Sequence, residues 1–336
     1  MMDALPEARL WEEARECGAC GSSRSFAAGK VCGKRYTRCA ECGVVRLYDR
    51  VAEGELHRLY AGYYPGPDPT PDELRLQLAN PTFAHRLRRL EAALPAGRHR
   101  IFEVGCGDGN FLAFLASRGW KVHGSEYDAE TAALVRRRHG IEPFVGDVAG
   151  EVPPGAPFDA VAAYHVLEHV YHPAEWLRAV RRMLAPGGVI HLQVPNHASL
   201  TRRLTGRAWA SVMFPQHVYF FTPASLAALL HREGFASLGT TTWDPWHGPG
   251  TVSASLVNQA RRMTGRGLPW TDPLAGGSEA RASAPAAPGG PAGKPRLARR
   301  VLDAVSARLA RAEAAAGAGA VVDVVARVQR ARGGPG

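Results

Sequence analysis

The chain has 336 residues, 46% of them hydrophobic, and a formal net charge of +10. That apolar content suits one sizeable core with appendages and excludes a wholly disordered or low-complexity class. No apolar run reaches the roughly 18 residues that a membrane span requires, and the start MMDALPEARLWEEARECG carries charges where a signal peptide would be apolar, so a soluble cytoplasmic protein is expected.

The charge is unevenly spread. Residues 261–336 hold 13 Lys/Arg against 5 Asp/Glu, so this end carries +8 of the total and the rest is nearly neutral. Basicity distributed in this way argues against nucleic acid as a partner of the main domain.

Four of the six cysteines fall in two pairs, Cys17 and Cys20 in CGACG, then Cys39 and Cys42 in CAECG, with 18 residues between the pairs. Each CxxC turn aims two thiolates at one ion, and the following Gly21 or Gly43 relieves the turn, so residues 13–50 are expected to form a zinc-ribbon-like module around a structural zinc. Redox or disulfide pairs are the alternative. Cys32 reads as an ordinary buried thiol, not a fifth ligand.

Residues 51–98 read as a helical connector or lid. Within them lie the tyrosine-rich LYAGYYPGP (59–67) and the helix NPTFAHRLRRLEAAL (80–94), whose Phe83, Leu87, Leu90 and Leu94 recur at helical spacing. The same stripe suits a core helix.

From residue 99 strands alternate with helices. RIFEVG is a strand, CGDGN a glycine turn and FLAFLASRG a helix, and WKVHGSE is a second strand. ETAALVRRRHG is helical, IEPFVGD and FDAVAAYHV are strands, PAEWLRAVRRML is a helix and VIHLQVP is a fifth strand. This alternation predicts an α/β fold, a doubly wound and mostly parallel sheet with ligands at the carboxyl ends of the strands. The turn Gly105, Gly107, Gly109 lacks the last glycine of the dinucleotide fingerprint. Acids stand at three strand ends, Glu103, Glu126 and Asp147.

YHVLEHVYHP holds His165, Glu168 and His169 in HxxEH spacing, which in a helix spells a zinc peptidase. Here the preceding FDAVAA strand and the following Pro173 place it on a loop, so the peptidase reading is set aside. QHVYFFTPASLAALLHREGF (216–235) gives a segment entering a helix, with Thr222 as N-cap and Pro223 in the first turn.

EVGCGDG, GSEYD, VGD, FDAVAAYHVLEHV and MLAPGGVIHLQVP resemble, in order and spacing, the successive motifs of class I S-adenosylmethionine-dependent methyltransferases. The resemblance covers roughly residues 80–245, with the methyltransferase domain set at 99–260. Residues 216–235 are similar to the terminal segment of the bacterial small-molecule branch, which includes ubiquinone-pathway and sugar-modifying enzymes. The resemblance implies a seven-stranded, Rossmann-like sheet and S-adenosylmethionine as cofactor. Gly105, Gly107 and Gly109 would then approach the methionine part, and Glu103 would meet its amino group. Glu126 would accept the ribose hydroxyls, Asp147 with Val148 would recognise adenine, and His165 would lie near the methyl. His217 and His169 are the candidate general bases.

Residues 261–295 read as a disordered Gly/Pro/Ala/Ser linker. Residues 296–336 read as a basic, partly disordered Ala/Arg helical tail with Leu297, Val301, Val305 and Leu309 on one stripe, suited to a partner or an acidic surface.

The expected function is methyl transfer to a small-molecule acceptor, a metabolite or sugar, at a hydroxyl. The alternatives are RNA or protein methylation, with the zinc module and tail holding the polymer, and a non-catalytic cofactor-binding scaffold.

Overall fold

A computed structural model describes residues 10–56, 59, 68–266, 268 and 297–329. Apart from Leu59, the 59–67 part of the expected lid lies outside the described residues, as does nearly all of the 261–295 linker. The chain forms two compact units. The first comprises Met1–Tyr63, Pro195–Ser225 and Thr242–Val321, the second Tyr64–Val194, Leu226–Thr241 and Val322–Gly336. No described helix is long and apolar enough to cross a membrane.

In chain order, short strands come first: β1 (Trp11–Glu13), β2 (Ser25–Val31), β3 (Lys34–Cys39), β4 (Val45–Leu47) and β5 (Asp49–Val51). Helices α1 (Pro71–Leu78) and α2 (Pro81–Ala93) each open on a proline and are capped by the side chains of Thr70 and Asn80. Strands and helices then alternate as β6 (Arg100–Val104), α3 (Asn110–Ala116), β7 (Lys121–Glu126), α4 (Ala129–His139), β8 (Phe144–Val145), β9 (Phe158–Tyr164), α5 (Pro173–Met183) and β10 (Leu184–Pro195). The rest is α6 (Leu200–Thr205), β11 (Tyr219–Phe220), α7 (Pro223–Arg232), β12 (Phe235–Thr241), α8 (His247–Met263), α9 (Leu297–Ala315) and β13 (Val321–Val328).

The second unit is built on a seven-stranded sheet in the order β12-β13-β10-β9-β6-β7-β8. The strands from β10 to β8 run parallel, and β12 pairs antiparallel with β13. On one face Ile101, Ala160, Ala162, Tyr164, Val189 and Val325 form a core with Phe83, Leu87 and Leu90 of α2 and with Phe111, Phe114 and Leu115 of α3. The small alanines of β9 leave room for this aromatic layer, in which Phe83 lies 5.5 Å from Phe111. The apolar stripe of α2, expected as part of a lid or connector, is therefore a layer of the core.

The C-terminal expectation needs correction. Residues 297–315 are helical as read, but 321–328 form β13, flanked on both sides within the sheet, rather than the end of a basic tail. VVDVVARV is a run of branched residues, which suits a strand buried on both faces.

Asp323 is fully buried and well supplied with partners. It accepts from Gln193 Nε2 at 2.7 Å and Arg89 Nε at 3.0 Å, and lies 3.2 Å from His191 Nε2 and 3.3 Å from His85 Nε2. Burial alone would raise its carboxyl, but His191, His85 and Gln193 hold it well below the usual range. Replacing Asp323 with Asn strands these donors and is expected to cost about 3–5 kcal/mol in chemical denaturation at pH 7. Because the folded-state value is depressed, this stabilisation is complete above about pH 4, the unfolded value, and fades as pH falls toward the folded one. The gap between parent and variant should close in acid; a constant gap would show that the charge of Asp323 contributes nothing.

In the first unit β2, β3 and β4 form a sheet in the order β11-β4-β3-β2, and β1 pairs with β5. Helices α8 and α9 pack together. The buried positions of α9 are Ser306, Ala310 and Glu313, while the expected stripe of Leu297, Val301, Val305 and Leu309 is exposed. Small residues let α9 approach α8 closely, with Ala310 Cβ 3.9 Å from the place a Cβ on Gly248 would take. Cys32, expected to be buried, is exposed in the turn between β2 and β3.

Candidate functional site

In the second unit the parallel strands deliver the expected residues to one edge. β6 runs into the glycine turn, β7 ends at Glu126, and β8 leads to Gly146 and Asp147. The edge is tied together by hydrogen bonds. Gly107 N–H donates to Glu126 Oε2 at 2.9 Å, and Tyr127 N–H to Oε1 at 2.9 Å. Gly146 N–H donates to the Glu126 carbonyl at 3.1 Å, and the Cys106 amide to that of Ser125 at 2.9 Å. Glu126 thus joins the ends of two strands through its own carboxylate. Burial pushes its carboxyl above the ordinary carboxylate range, and the backbone donors of Gly107, Tyr127 and Asp128 oppose that shift.

Glu103 is buried beneath the turn, and its Oε2 has no hydrogen-bond partner among the described residues. Burial pushes its carboxyl up to about 8, against the pull of the Arg86 guanidinium and with the repulsion of Asp108 and Glu126. Arg86 was invisible as a site residue in the sequence. It is buried on α2, donates to Gln193 Oε1 at 2.9 Å and lies 3.7 Å over the Tyr164 ring. A cation inside the apolar register of Phe83, Leu87 and Leu90 was the signal that would have found it.

The turn glycines all have left-handed φ, +65° at Gly105, +55° at Gly107 and +74° at Gly109. A Cβ on Gly105 would stand 2.8 Å from Val166 Cγ2, and one on Gly109 2.7 Å from Val135 Cγ1. At these two positions neighbouring side chains and backbone conformation already demand glycine. Asp147 is exposed and accepts from the Ala149 amide at 2.9 Å, with Val148 buried beside it.

The HxxEH segment is not a helix. His165 follows β9 with a φ of +59°, its amide donating to the Gln193 carbonyl at 2.8 Å, and residues Leu167–His169 make a single 3-10 turn. His165 Nδ1 lies 3.5 Å from a carboxylate oxygen of the buried Glu168. The left-handed backbone and short turn do not present two imidazoles one helical turn apart, as a zinc peptidase requires.

His217 belongs to the first unit. It is buried, its ring 6.5 Å from Phe220, and its Nδ1 sits 2.8 Å from the Ser211 carbonyl. A carbonyl only accepts, so Nδ1 carries a proton, and in the neutral form of the ring the lone pair lies on Nε2.

The same unit holds the four expected cysteines. Their sulfurs all lie within 4.8 Å of one another, with Cys17 to Cys42 at 3.7 Å and Cys20 to Cys39 at 3.5 Å. Four thiolates bound tetrahedrally at about 2.3 Å would stand about 3.8 Å apart, so the spacing fits one such ion. Gly21 and Gly43 close the two turns with φ of +77° and +71° and donate to the carbonyls of Cys17 and Cys39.

A family profile described as a methyltransferase domain matches residues 75–238. A ubiquinone biosynthesis O-methyltransferase of Xylella fastidiosa is 30% identical over 220 residues, covering 59% of this chain and 87% of that protein. A probable S-adenosylmethionine-dependent methyltransferase of Mycolicibacterium smegmatis is 29% identical over 186 residues, 53% of this chain and 69% of its own. A solved S-adenosylmethionine-dependent methyltransferase from Archaeoglobus fulgidus aligns over 81% of this chain and 99% of its own at 17% identity, with a TM-score of 0.45. A relationship that spans most of the Xylella protein makes this chain a member of the class I S-adenosylmethionine-dependent methyltransferases, an enzyme that binds S-adenosylmethionine.

Proposed function

We propose that the enzyme methylates a hydroxyl oxygen of a small-molecule acceptor. The observation that carries the reading is the glycine turn fastened to Glu126 beside a buried carboxyl group, Glu103, with a spare oxygen. These groups match a cofactor that presents a ribose diol and an ammonium. We assign the ribose hydroxyls to Glu126, the amino group to Glu103, the adenine to Asp147 with Val148, and the methyl side to the backbone of His165. The relatives named as O-methyltransferases support oxygen as the accepting atom.

When bound, S-adenosylmethionine supplies a methyl already activated on a sulfonium. The chain's own task is to hold the acceptor in line, exclude water and take up the hydroxyl proton. His217 is our general base, preferred to His169 because the Ser211 carbonyl fixes the tautomer that leaves Nε2 able to accept. Cys17, Cys20, Cys39 and Cys42 hold a structural zinc. The reducing cytoplasm would keep those thiols available to it.

The test is a calorimetric titration with S-adenosylhomocysteine. Removing a charged acceptor of two hydrogen bonds, Glu126→Ala should weaken binding roughly 10²-fold, and NAD should give no heat with the parent. Equal affinity in parent and variant, or no binding by folded protein, would refute the assignment.

A further inference from the structure

The first unit also carries a group of positive charges that the methyl-transfer chemistry leaves unexplained. Arg38 on β3 pairs across the sheet with Val45 of β4, and Val45 pairs in turn with Phe220 of β11. Residues paired in this way share a face, and so do residues two apart on a strand. Tyr36, two before Arg38, accordingly meets the Phe220 ring at 5.5 Å. The rings of His197 and Trp209 lie 5.6 and 6.1 Å from the same phenylalanine, and the His197 amide donates to the Phe221 carbonyl at 2.8 Å. Five residues after His197 comes Arg202 on α6, partly buried, with Arg203 beside it.

Among the described residues none of these three arginines forms an ion pair, and burial, with the charges of Arg38 and Arg203, disfavours the charged form of Arg202. Burial and the neighbouring charges of Arg202 and Arg38 drive His197 down to about 3, so it is a neutral ring at physiological pH. Two further polar groups next to this patch are buried without a partner among the described residues, the Trp209 indole N–H and the Tyr36 hydroxyl. Clustered cations and unpartnered donors disfavour the fold unless something with negative charge meets them.

We propose that Arg38 and Arg202, with Arg203, bind the phosphate group of a small-molecule ligand, over the aromatic floor of Phe220, Trp209 and Tyr36. Guanidinium forks match phosphate oxygens in pairs, and a doubly charged group neutralises two of them, which a single carboxylate does not. The inference does not depend on the cofactor assignment, because its residues take no part in cofactor binding.

The experiment titrates the full chain with pyrophosphate and inorganic phosphate, and separately with S-adenosylhomocysteine. Arg202→Gln and the exposed Arg38→Gln should each weaken pyrophosphate binding about 10-fold or more, with Arg202→Lys partly restoring it and the cofactor-product affinity unchanged in all three. Pyrophosphate binding that ignores these substitutions, or its absence in the parent, would overturn the site. Loss of cofactor-product affinity in the parent would instead strike at the proposed function. Salt-sensitive binding of a single-stranded RNA, lost in the same variants while pyrophosphate is not bound, would overturn the small-molecule form in favour of a polymer.

Discussion

His217→Ala should lower kcat by about 10² to 10⁴-fold while leaving the affinity for S-adenosylhomocysteine intact. The measurement is transfer of labelled methyl from S-adenosylmethionine to acceptors in a cell extract, followed by kinetics on the isolated product's precursor. A base that accepts through Nε2 must be unprotonated, so the parent should lose activity on the acid side, and the variant should lose that limb of the profile. The Ser211 carbonyl makes a second, subtler forecast. His217→Gln offers an amide N–H to the same carbonyl and preserves the loop, yet has no titratable lone pair, so it should be as slow as the alanine variant. Full turnover in His217→Gln would assign the ring a purely structural part and move attention to His169.

Removing the metal should have the largest effect on the fold. Between the two knuckles the sheet is small, and β2 places Phe26, Ala27, Ala28, Gly29 and Lys30 in exposed positions, so burial contributes little to it. Structural zinc supplies about 10–16 kcal/mol of apparent binding energy in isolated zinc-finger peptides, and the energy here should likewise be folding energy. One zinc per chain by elemental analysis is the expected stoichiometry. A strong chelator, or Cys39→Ser, should release it and abolish amide protection across β2, β3 and β4. A metal-free preparation with that protection intact would end the structural-zinc reading. Because Leu47 donates to the Val218 carbonyl at 2.8 Å and the Gly18 amide to the Tyr219 hydroxyl at 2.9 Å, protection should also fall at 218–220, beside His217.

Much of this was legible before any coordinates. The strand-helix alternation from residue 99 worked because its strands are parallel, buried and bounded by glycine turns, and each expected acid at the strand ends lies there. The four-cysteine cluster was legible because CxxC turns are local. Four things were not. β11 is two residues long and exists only because β4 is beside it, so nothing in VYFF announces its partner. β13 was hidden by Asp323, whose charge is acceptable only with His191, Arg89 and Gln193 around it, contacts that no local pattern encodes. The buried face of α9 was not read, because alanine and serine can bury against another helix while leucines stay outside. Arg86 belongs with these: a buried cation makes sense only with its acceptors in view.

The placement of β13 bears on how the sheet is assembled. It pairs with β12, but residues 242–320 intervene between them, so completion of the sheet beyond β10 waits for one of the most distant pairings in the chain. Until then β10 has an open edge, which in a half-made molecule is a place for another strand to dock wrongly. Asp323 acts as a check on what docks. Slipping β13 by one residue would turn the carboxylate to the opposite face and set Val322 or Val324 against Arg89, His85 and His191, leaving those donors buried and unanswered. An intruding apolar strand would fail in the same way. The single acid that disguised this strand in the sequence is what allows the open edge to distinguish its own last strand from any other.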